Sequence, residues 1–194
     1  MSRKINRVPV KLDAKGIKAL SKEEIVTILR GADPLIMCGG RAMLAKILKG
    51  SREKKLLEQG LDKVPVYAAF KALSLEDIQA RIDWMILNDY LTIEYDYRLP
   101  LIVYTNKGWE IERETYATEL LQGIDKLIAS DELQLDMTYL KDRNRDIIML
   151  LLDKIQASEN PKYLPVLAAW KKVDYKKVQL RITQVMQGLE QTVA

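Results

Sequence analysis

The stretch from residue 40 to residue 113 constrains the fold most, because the spacing of its apolar residues changes along the chain from that of helices to that of strands. Apolar residues recur at helical spacing between Gly40 and Gly50, and the second glycine ends the pattern. A charged turn follows. Ser74 is typical of a helix N-cap, because acidic residues follow it in the first turn, and a second helical stripe of apolar residues begins there. The apolar residues of this second stripe are Leu75, Ile78, Ile82, Met85 and Ile86.

The pattern then changes to that of strands. Residues 91–95 and 101–104 are rich in β-branched and aromatic side chains, and residues 96–100 between them are typical of a hairpin loop. Two helices followed by a hairpin is the order of elements in a winged helix, with the hairpin loop as the wing. We therefore expect a mainly α protein with a small β wing, in which a winged helix-turn-helix precedes a C-terminal helical bundle.

Three ordered motifs connect this region with a known family. They are LAKILKGSREKK at residues 44–55, LSLE at residues 73–76 and YTNKG at residues 104–108. Together they resemble the winged-helix RQC domain at the C-terminus of RecQ-type DNA helicases, over about residues 41–113. The resemblance implies DNA binding at duplex ends or junctions, through the basic turn at residues 49–55 and the wing.

The composition excludes several kinds of active site. With one cysteine and no histidine among 194 residues, the chain offers neither a Cys/His zinc site nor a Cys-His or Ser-His nucleophilic pair. It has no GxxxxGK[ST] phosphate-binding loop, so it lacks the ATPase motor of RecQ-type helicases. Because it has one cysteine, it also lacks the four-cysteine zinc module of those helicases. We therefore predict no enzyme activity, no metal and no cofactor. The chain also lacks a membrane-spanning apolar run and a secretory signal, so we expect a cytoplasmic protein with no membrane partner.

Positive charge is concentrated early in the chain. The first 60 residues contain 14 Lys or Arg against 6 Asp or Glu, although the net charge is only +4. An anionic partner should meet these segments first. We assign residues 1–39 to a basic N-terminal lead with short helices. Its first 20 residues form a tail or loosely docked arm, and its first helix begins at the Ser21 capping box with Glu24.

Two further regions follow this lead. Residues 40–129 form the winged helix with a long C-terminal helix capped by Thr105, and residues 130–194 form a helical region, with the boundary at residues 130–137. Residues 65–87 and 165–187 share eight of twenty-three aligned positions. This similarity indicates either a duplicated, wingless second helix-turn-helix or two helical pairs that look alike because both must pack.

The basic turn and the wing supply the predicted DNA-binding residues. We expect Gly50 and Ser51 to lie at a helix start, where free N–H groups and the helix dipole favour phosphate. In the wing, an aromatic ring at the tip could stack on a terminal base pair, although the short loop could instead fold against the body. The predicted DNA-binding residues are Lys49, Ser51, Arg52, Lys54, Lys55, Tyr97 and Arg98.

The helix after Ser74 is a poor reader of a major groove. Its outward residues are mostly acidic or apolar, and Arg81 is the positive one among them, so insertion between phosphates is disfavoured. Ala80, Trp84 and Leu87 instead suggest an apolar interface, covered by the C-terminal helices or by another protein, unless they are simply partly exposed.

The C-terminal region offers a second basic face. Residues Lys172, Lys176, Lys177, Arg181 and Gln184 lie on or beside one side of the last predicted helix, at residues 173–189. They form either a second DNA-binding face or an ordinary solvated surface.

These observations lead to two hypotheses on function. The first is structure-directed binding of DNA at duplex ends, forks or junctions, by a stand-alone protein or an accessory to a helicase or another replication or repair protein. The second is a protein-interaction adaptor that uses the winged fold and the C-terminal helices to recruit partners. Salt dependence separates them, because phosphate contacts weaken steeply with salt and apolar contacts do not.

Overall fold

The computed structural model describes residues 7–130 and 135–191 of the 194-residue chain. These residues form eight α-helices and one two-stranded sheet, with four short 3-10 turns between them. The elements are α1 Lys22–Ala32, α2 Arg41–Lys49, α3 Lys54–Glu58, α4 Leu75–Leu87, β1 Leu91–Asp96, β2 Leu99–Tyr104, α5 Asn106–Ala129, α6 Arg145–Ala157, α7 Leu164–Val173 and α8 Lys176–Gln191. The order from α2 to β2 is the predicted winged helix-turn-helix, and the mainly α class with a small β wing is confirmed.

The chain divides into two compact units, and the division falls between Glu112 and Arg113, inside α5. The predicted boundary lay later, at residues 130–137, and residues 131–134 of it lie outside the described residues. The earlier division has a physical cause. Ile111 packs against the core of the first unit, whereas Tyr116 and later residues of α5 are buried outside that core.

The first unit is built on a core shared by α1, α2, α4 and the hairpin. The capping box predicted for α1 is present, because the Ser21 hydroxyl accepts from the Glu24 N–H and the Glu24 carboxylate accepts from the Ser21 N–H. The Ser74 hydroxyl caps α4 in the same way, by accepting from the Asp77 N–H. Fully buried side chains at the centre include Ile28, Leu29, Leu44, Ile47, Leu48, Ile78 and Ile82. One residue of the predicted stripe differs, since Leu75 in the first turn of α4 is 41% exposed.

The hairpin is tighter than the sequence indicated. β1 and β2 pair antiparallel from Leu91 opposite Tyr104 to Asp96 opposite Leu99, so a two-residue turn of Tyr97 and Arg98 replaces the predicted five-residue loop. The Thr105 hydroxyl then accepts from the Gly108 N–H and starts α5 as predicted.

The N-terminal segment is docked along the hairpin and α4. Its backbone is tied to the wing, since the Val8 N–H donates to the Arg98 carbonyl at 3.1 Å and the Tyr95 hydroxyl donates to the Val8 carbonyl at 2.9 Å. Further on, the Asp13 N–H donates to the Asp83 carboxylate at 2.8 Å. Of the two predicted forms, a tail or a loosely docked arm, residues 7–20 therefore have the docked one, held by hydrogen bonds at Val8 and Asp13. Residues 1–6 lie outside the described part of the chain.

The second unit packs α6, α7 and α8 around a separate core. The residues at its centre include Ile147, Leu151, Leu167, Trp170, Ile182 and Val185, all with less than 2% exposure. The Asn144 side chain caps α6 by accepting from the Asp146 N–H. The predicted final helix begins three residues late, at Lys176, because Asp174 and Tyr175 separate it from α7.

The internal similarity is only partly matched in three dimensions. α4 and α8 correspond as helices, but residues 165–173 belong to α7 whereas residues 65–73 form a series of turns. In the first copy the N–H groups of Ala68 and Phe70 donate to the carbonyls of Ile47 and Leu48 at the end of α2. Those donors are therefore not available for an α-helical ladder, and similar sequences adopt different structures.

Candidate nucleic-acid interface

The basic turn begins at the end of α2. Gly50 has φ +80°, and a Cβ built on it would lie 2.6 Å from the Cβ of Ala68, so both the backbone conformation and the close approach require glycine. The Gly50 N–H donates to the carbonyls of Lys46 and Ile47, and the Ser51 N–H donates to the Lys46 carbonyl at 2.9 Å. The expectation of free N–H groups at a helix start is therefore wrong here, because both groups close the C-terminus of α2.

Two lysines of this region are occupied within the fold. The Lys49 ammonium donates to the carbonyls of Lys71 and Leu73 at 2.7 and 2.6 Å, and so fixes the segment that leads into α4. The Lys46 ammonium lies 2.7 Å from the Glu53 carboxylate. Lys49, one of the predicted DNA-binding residues, thus has a structural role that limits its reach to a phosphate.

Three cations of the turn point to solvent. The side chains of Arg52 and Lys55 are exposed and make no ion pair or hydrogen bond within the described residues. Lys54 lies 3.7 Å from Glu58 one turn along α3, but its side chain is 89% exposed, so this surface pair is weak and easily exchanged for another anion. The predicted cluster of Arg52, Lys54 and Lys55 is thus available for an external partner.

The wing presents an aromatic tip. Tyr97 is 68% exposed with φ +52°, and Leu99 beside it is 61% exposed. The alternative in which the loop folds against the body therefore does not hold for these two side chains. The neighbouring Arg98 is exposed, and its carbonyl accepts the hydrogen bond from Val8 that ties the N-terminal segment to the tip.

One groove joins the basic turn to the wing. It has a volume of about 410 Å³, and it is lined on one side by Lys55 and Gln59 and on another by Leu99, Pro100 and Leu101 of β2. The sequence places Lys55 and Leu99 more than 40 positions apart, and local patterns gave no indication that they share a groove. The structure therefore brings Lys55 of the basic turn and the first residues of β2, which follow the wing tip, to the same groove.

Ala80, Trp84 and Leu87 were expected to form an apolar interface on the outer face of α4, covered by the C-terminal helices or another protein, or else to be partly exposed, and the fold itself buries two of the three. Ala80 and Trp84 are 2% and 8% exposed, and the Trp84 ring stacks on Tyr90 with the centroids 5.9 Å apart. Leu87, at 58%, is exposed. A single-helix projection cannot show the burial of Trp84, because the core that contains this ring also includes residues far along the chain, with Ala14 and Ile17 packed against it.

The charges of α4 are also occupied. Arg81 donates to the Glu24 carboxylate at 2.9 Å, and the Lys15 ammonium lies 3.1 Å from the Glu76 carboxylate. A hydrogen bond from the Ser74 hydroxyl, assisted by the positive charge of Lys15, holds the pKa of Asp77 below its ordinary value, so this carboxylate stays charged at neutral pH. The start of α4 therefore repels phosphate.

The predicted second basic face is divided. Lys172, Lys176, Lys177 and Gln184 are exposed, in agreement with either hypothesis. Arg181 is instead held within the second unit, where its guanidinium donates to Asp153 and to Gln156, both at 2.7 Å.

Comparisons with known proteins identify the first unit. The model of the RQC domain family matches residues 22–123, which is more than half of the chain. The ATP-dependent DNA helicase RecQ of Bacillus subtilis (strain 168) is 32% identical over 69 residues, which cover 36% of this chain and 12% of the helicase. The chain thus spans about an eighth of the length of that relative.

No solved structure matches the chain. Within the described residues, no helix has the length and apolar character needed to cross a membrane. The matched region includes the whole of the winged helix, with its basic turn, its two-residue wing and the start of α5. The chain belongs to the RQC domain family.

Proposed function

We infer that this chain binds DNA at duplex ends, forks or junctions. Arg52, Lys54 and Lys55 would contact the phosphate backbone, and Tyr97 at the wing tip would stack on the terminal base pair. RQC domains of RecQ helicases are DNA-binding winged helices, and this chain belongs to that family. The observation that carries it is the groove that has Lys55 on one side and the wing strand on the other. Solvent-exposed cations and an exposed aromatic tip suit a phosphate backbone that ends in a free base pair.

The state of α4 supports this docking mode over major-groove insertion. Its cation Arg81 already pairs with Glu24, and Lys15 from the N-terminal segment neutralises Glu76. A helix that reads bases needs free donors and acceptors facing the groove, and α4 offers acids and buried side chains instead. The DNA would therefore contact the basic turn and the wing, and α4 would stay outside the major groove of the DNA.

The exposed ring of Tyr97 gives the preference for ends. A continuous duplex covers the faces of its bases, whereas a blunt or forked end presents one free face on which an aromatic side chain can stack. The phosphate contacts of the basic turn are common to all DNA structures and supply affinity without discrimination.

We further propose an accessory role. These 194 residues contain no phosphate-binding loop, and we propose that the energy for any strand separation at the bound end comes from a helicase or another replication or repair protein. The adaptor hypothesis has less support, because two of the three residues named for its interface on α4, Ala80 and Trp84, are buried.

A competition titration tests the proposed function. Fluorescence anisotropy would follow labelled blunt, forked, four-way and single-stranded DNA, at about 50 mM and about 200 mM salt, with relaxed closed circular duplex as unlabelled competitor. We expect the substrates with ends or junctions to bind more tightly than the circle, and all binding to weaken with salt. Equal competition by the circle, base pair for base pair, would contradict end recognition, and binding that does not respond to salt would favour the adaptor.

A further inference from the structure

The second unit contains a basic cleft that lies outside the matched winged helix. The cleft has a volume of about 600 Å³ and lies where the start of α6 meets the start of α8. Five cations line it: Lys141, Arg143, Arg145, Lys176 and Lys177. A concave surface with one dominant sign of charge concentrates the electrostatic field and attracts anions.

Most of this positive charge is not neutralised within the fold. The side chains of Arg145, Lys176 and Lys177 are exposed and make no ion pair or hydrogen bond within the described part of the chain. Arg143 uses one N–H, on Nε, to donate to the Tyr139 carbonyl at 3.1 Å. Lys141 lies over the ring of Tyr175, with 5.0 Å from Nζ to the ring centroid.

The two acids that line the cleft are engaged. One oxygen of Asp174 accepts from the indole N–H of Trp170 and the other from the Tyr175 N–H, both at 2.6 Å. Asp142 accepts from the Tyr175 hydroxyl at 3.2 Å. Both carboxylates thus serve to hold Tyr175 and the start of α8, and the excess of cations faces the cleft.

An aromatic ring and an apolar wall complete the cleft. Tyr175 is 58% exposed, and Ile148 and Val178 provide apolar lining. The hydrogen bond to Asp142 raises the pKa of Tyr175, so its hydroxyl stays neutral beside the cations. Cations next to an exposed aromatic ring are the combination with which proteins hold unpaired nucleotides, the phosphate by charge and the base by stacking.

We propose that this cleft binds nucleotide units of a single DNA strand, with phosphates held by Arg145, Lys176 and Lys177 and a base stacked on Tyr175. The site is separate from the proposed duplex-end site in the first unit and shares no residue with it, so either proposal can fail while the other stands. A single strand is favoured over a duplex because only an unpaired base offers its face to Tyr175.

The test measures binding of the full chain to a labelled oligothymidylate across a salt series. Replacing Lys176→Ala and Lys177→Ala together should reduce the slope of log affinity against log salt by about 1.4, at roughly 0.7 per lost phosphate contact on a single strand. The matched control replaces Lys126→Ala and Lys162→Ala, two exposed cations of the same unit that lie outside the cleft and outside the predicted basic face. An equal loss of slope in the control would overturn the site, because binding would then reflect overall charge.

The ring is tested separately from the charge. Tyr175→Ala should weaken oligothymidylate binding about fivefold or more with an unchanged salt slope, while Tyr175→Phe, which keeps the ring, should bind as the unaltered chain does. Helical content and the melting temperature of each variant establish that it folds. If Tyr175→Ala does not fold, the double replacement of Lys176 and Lys177 still tests whether the cleft binds the strand. Full binding by folded Tyr175→Ala would overturn stacking.

A last arm distinguishes a strand from a free nucleotide. Thymidine monophosphate and inorganic phosphate should compete far more weakly than the oligothymidylate at equal nucleotide concentration, because they cannot fill several contacts at once. Equal competition by the mononucleotide would assign the cleft to a small phosphorylated ligand and refute binding of a strand. Variants of Arg52 and Lys55 should lose duplex-end affinity and keep most of the oligothymidylate affinity, which separates the two sites.

Discussion

Removal of the three exposed cations of the basic turn should change the salt dependence of DNA binding by a predictable amount. The variant carries Arg52→Ala, Lys54→Ala and Lys55→Ala. The structure sets the number of available contacts at three, because Lys46 pairs with Glu53 and the Lys49 ammonium is bonded to two carbonyls. The weak pair of Lys54 with Glu58 does not lower this count, since both side chains are mostly exposed.

The magnitude follows from counterion release. Each phosphate contact on duplex DNA contributes roughly 0.9 to the slope of log affinity against log salt, so three contacts contribute about 2.7. Between about 50 and about 200 mM salt, the unaltered chain should lose about 40-fold more affinity than the variant does. The difference between the two proteins is therefore largest at low salt.

The assay is anisotropy with a blunt duplex over a salt series. A control with Lys18→Ala, Lys22→Ala and Lys71→Ala removes the same charge from exposed lysines elsewhere in the first unit. The control should keep most of the slope. If the slope of the turn variant equals that of the unaltered chain, or if the control loses as much, the turn does not carry the phosphate contacts.

Three other outcomes are expected. Tyr97→Ala should weaken binding to a blunt or forked end about fivefold or more and leave binding to closed circular duplex nearly unchanged, and an equal loss on both would make Tyr97 a general contact. Asp83→Ala should lower the free energy of unfolding by about 2 to 3 kcal/mol in urea denaturation, because this buried carboxylate accepts from Arg41 and from the Asp13 N–H; a loss near zero would contradict this role. The purified chain should neither hydrolyse ATP nor hold stoichiometric zinc, and phosphate release or zinc by elemental analysis in the monomer peak would refute this expectation.

Local features of the fold could be predicted from the sequence because they depend on neighbouring residues. The Ser21 capping box, the Ser74 cap and the hairpin of residues 91–104 all follow from short-range hydrogen bonding and side-chain period. The basic turn was half predicted. Its glycine was recognised as a helix end, but the same geometry uses the N–H groups of Gly50 and Ser51 that were expected to be free.

Features that depend on distant partners could not be predicted. The burial of Trp84 involves residues far away in the chain, and a helical projection shows only which side chains share a face. The turns at residues 65–73 have the same cause, since carbonyls at the end of α2 capture N–H groups that could otherwise build a helix. The basic cleft had a local signal in the run Lys141, Arg143 and Arg145, but its pairing with α8 required the fold.

The docked N-terminal segment matters for the choice of fragment boundaries. The family match begins at residue 22, but hydrogen bonds to the wing and to α4 come from Val8 and Asp13. A fragment cut at the matched boundary would leave the Asp83 carboxylate without one donor and the Tyr95 hydroxyl without its acceptor. It would also uncover apolar core residues now packed against Ala14 and Ile17, and so favour self-association. Fragments of this chain should therefore start no later than residue 7, since a shorter one would mix the behaviour of the interface with that of a damaged core.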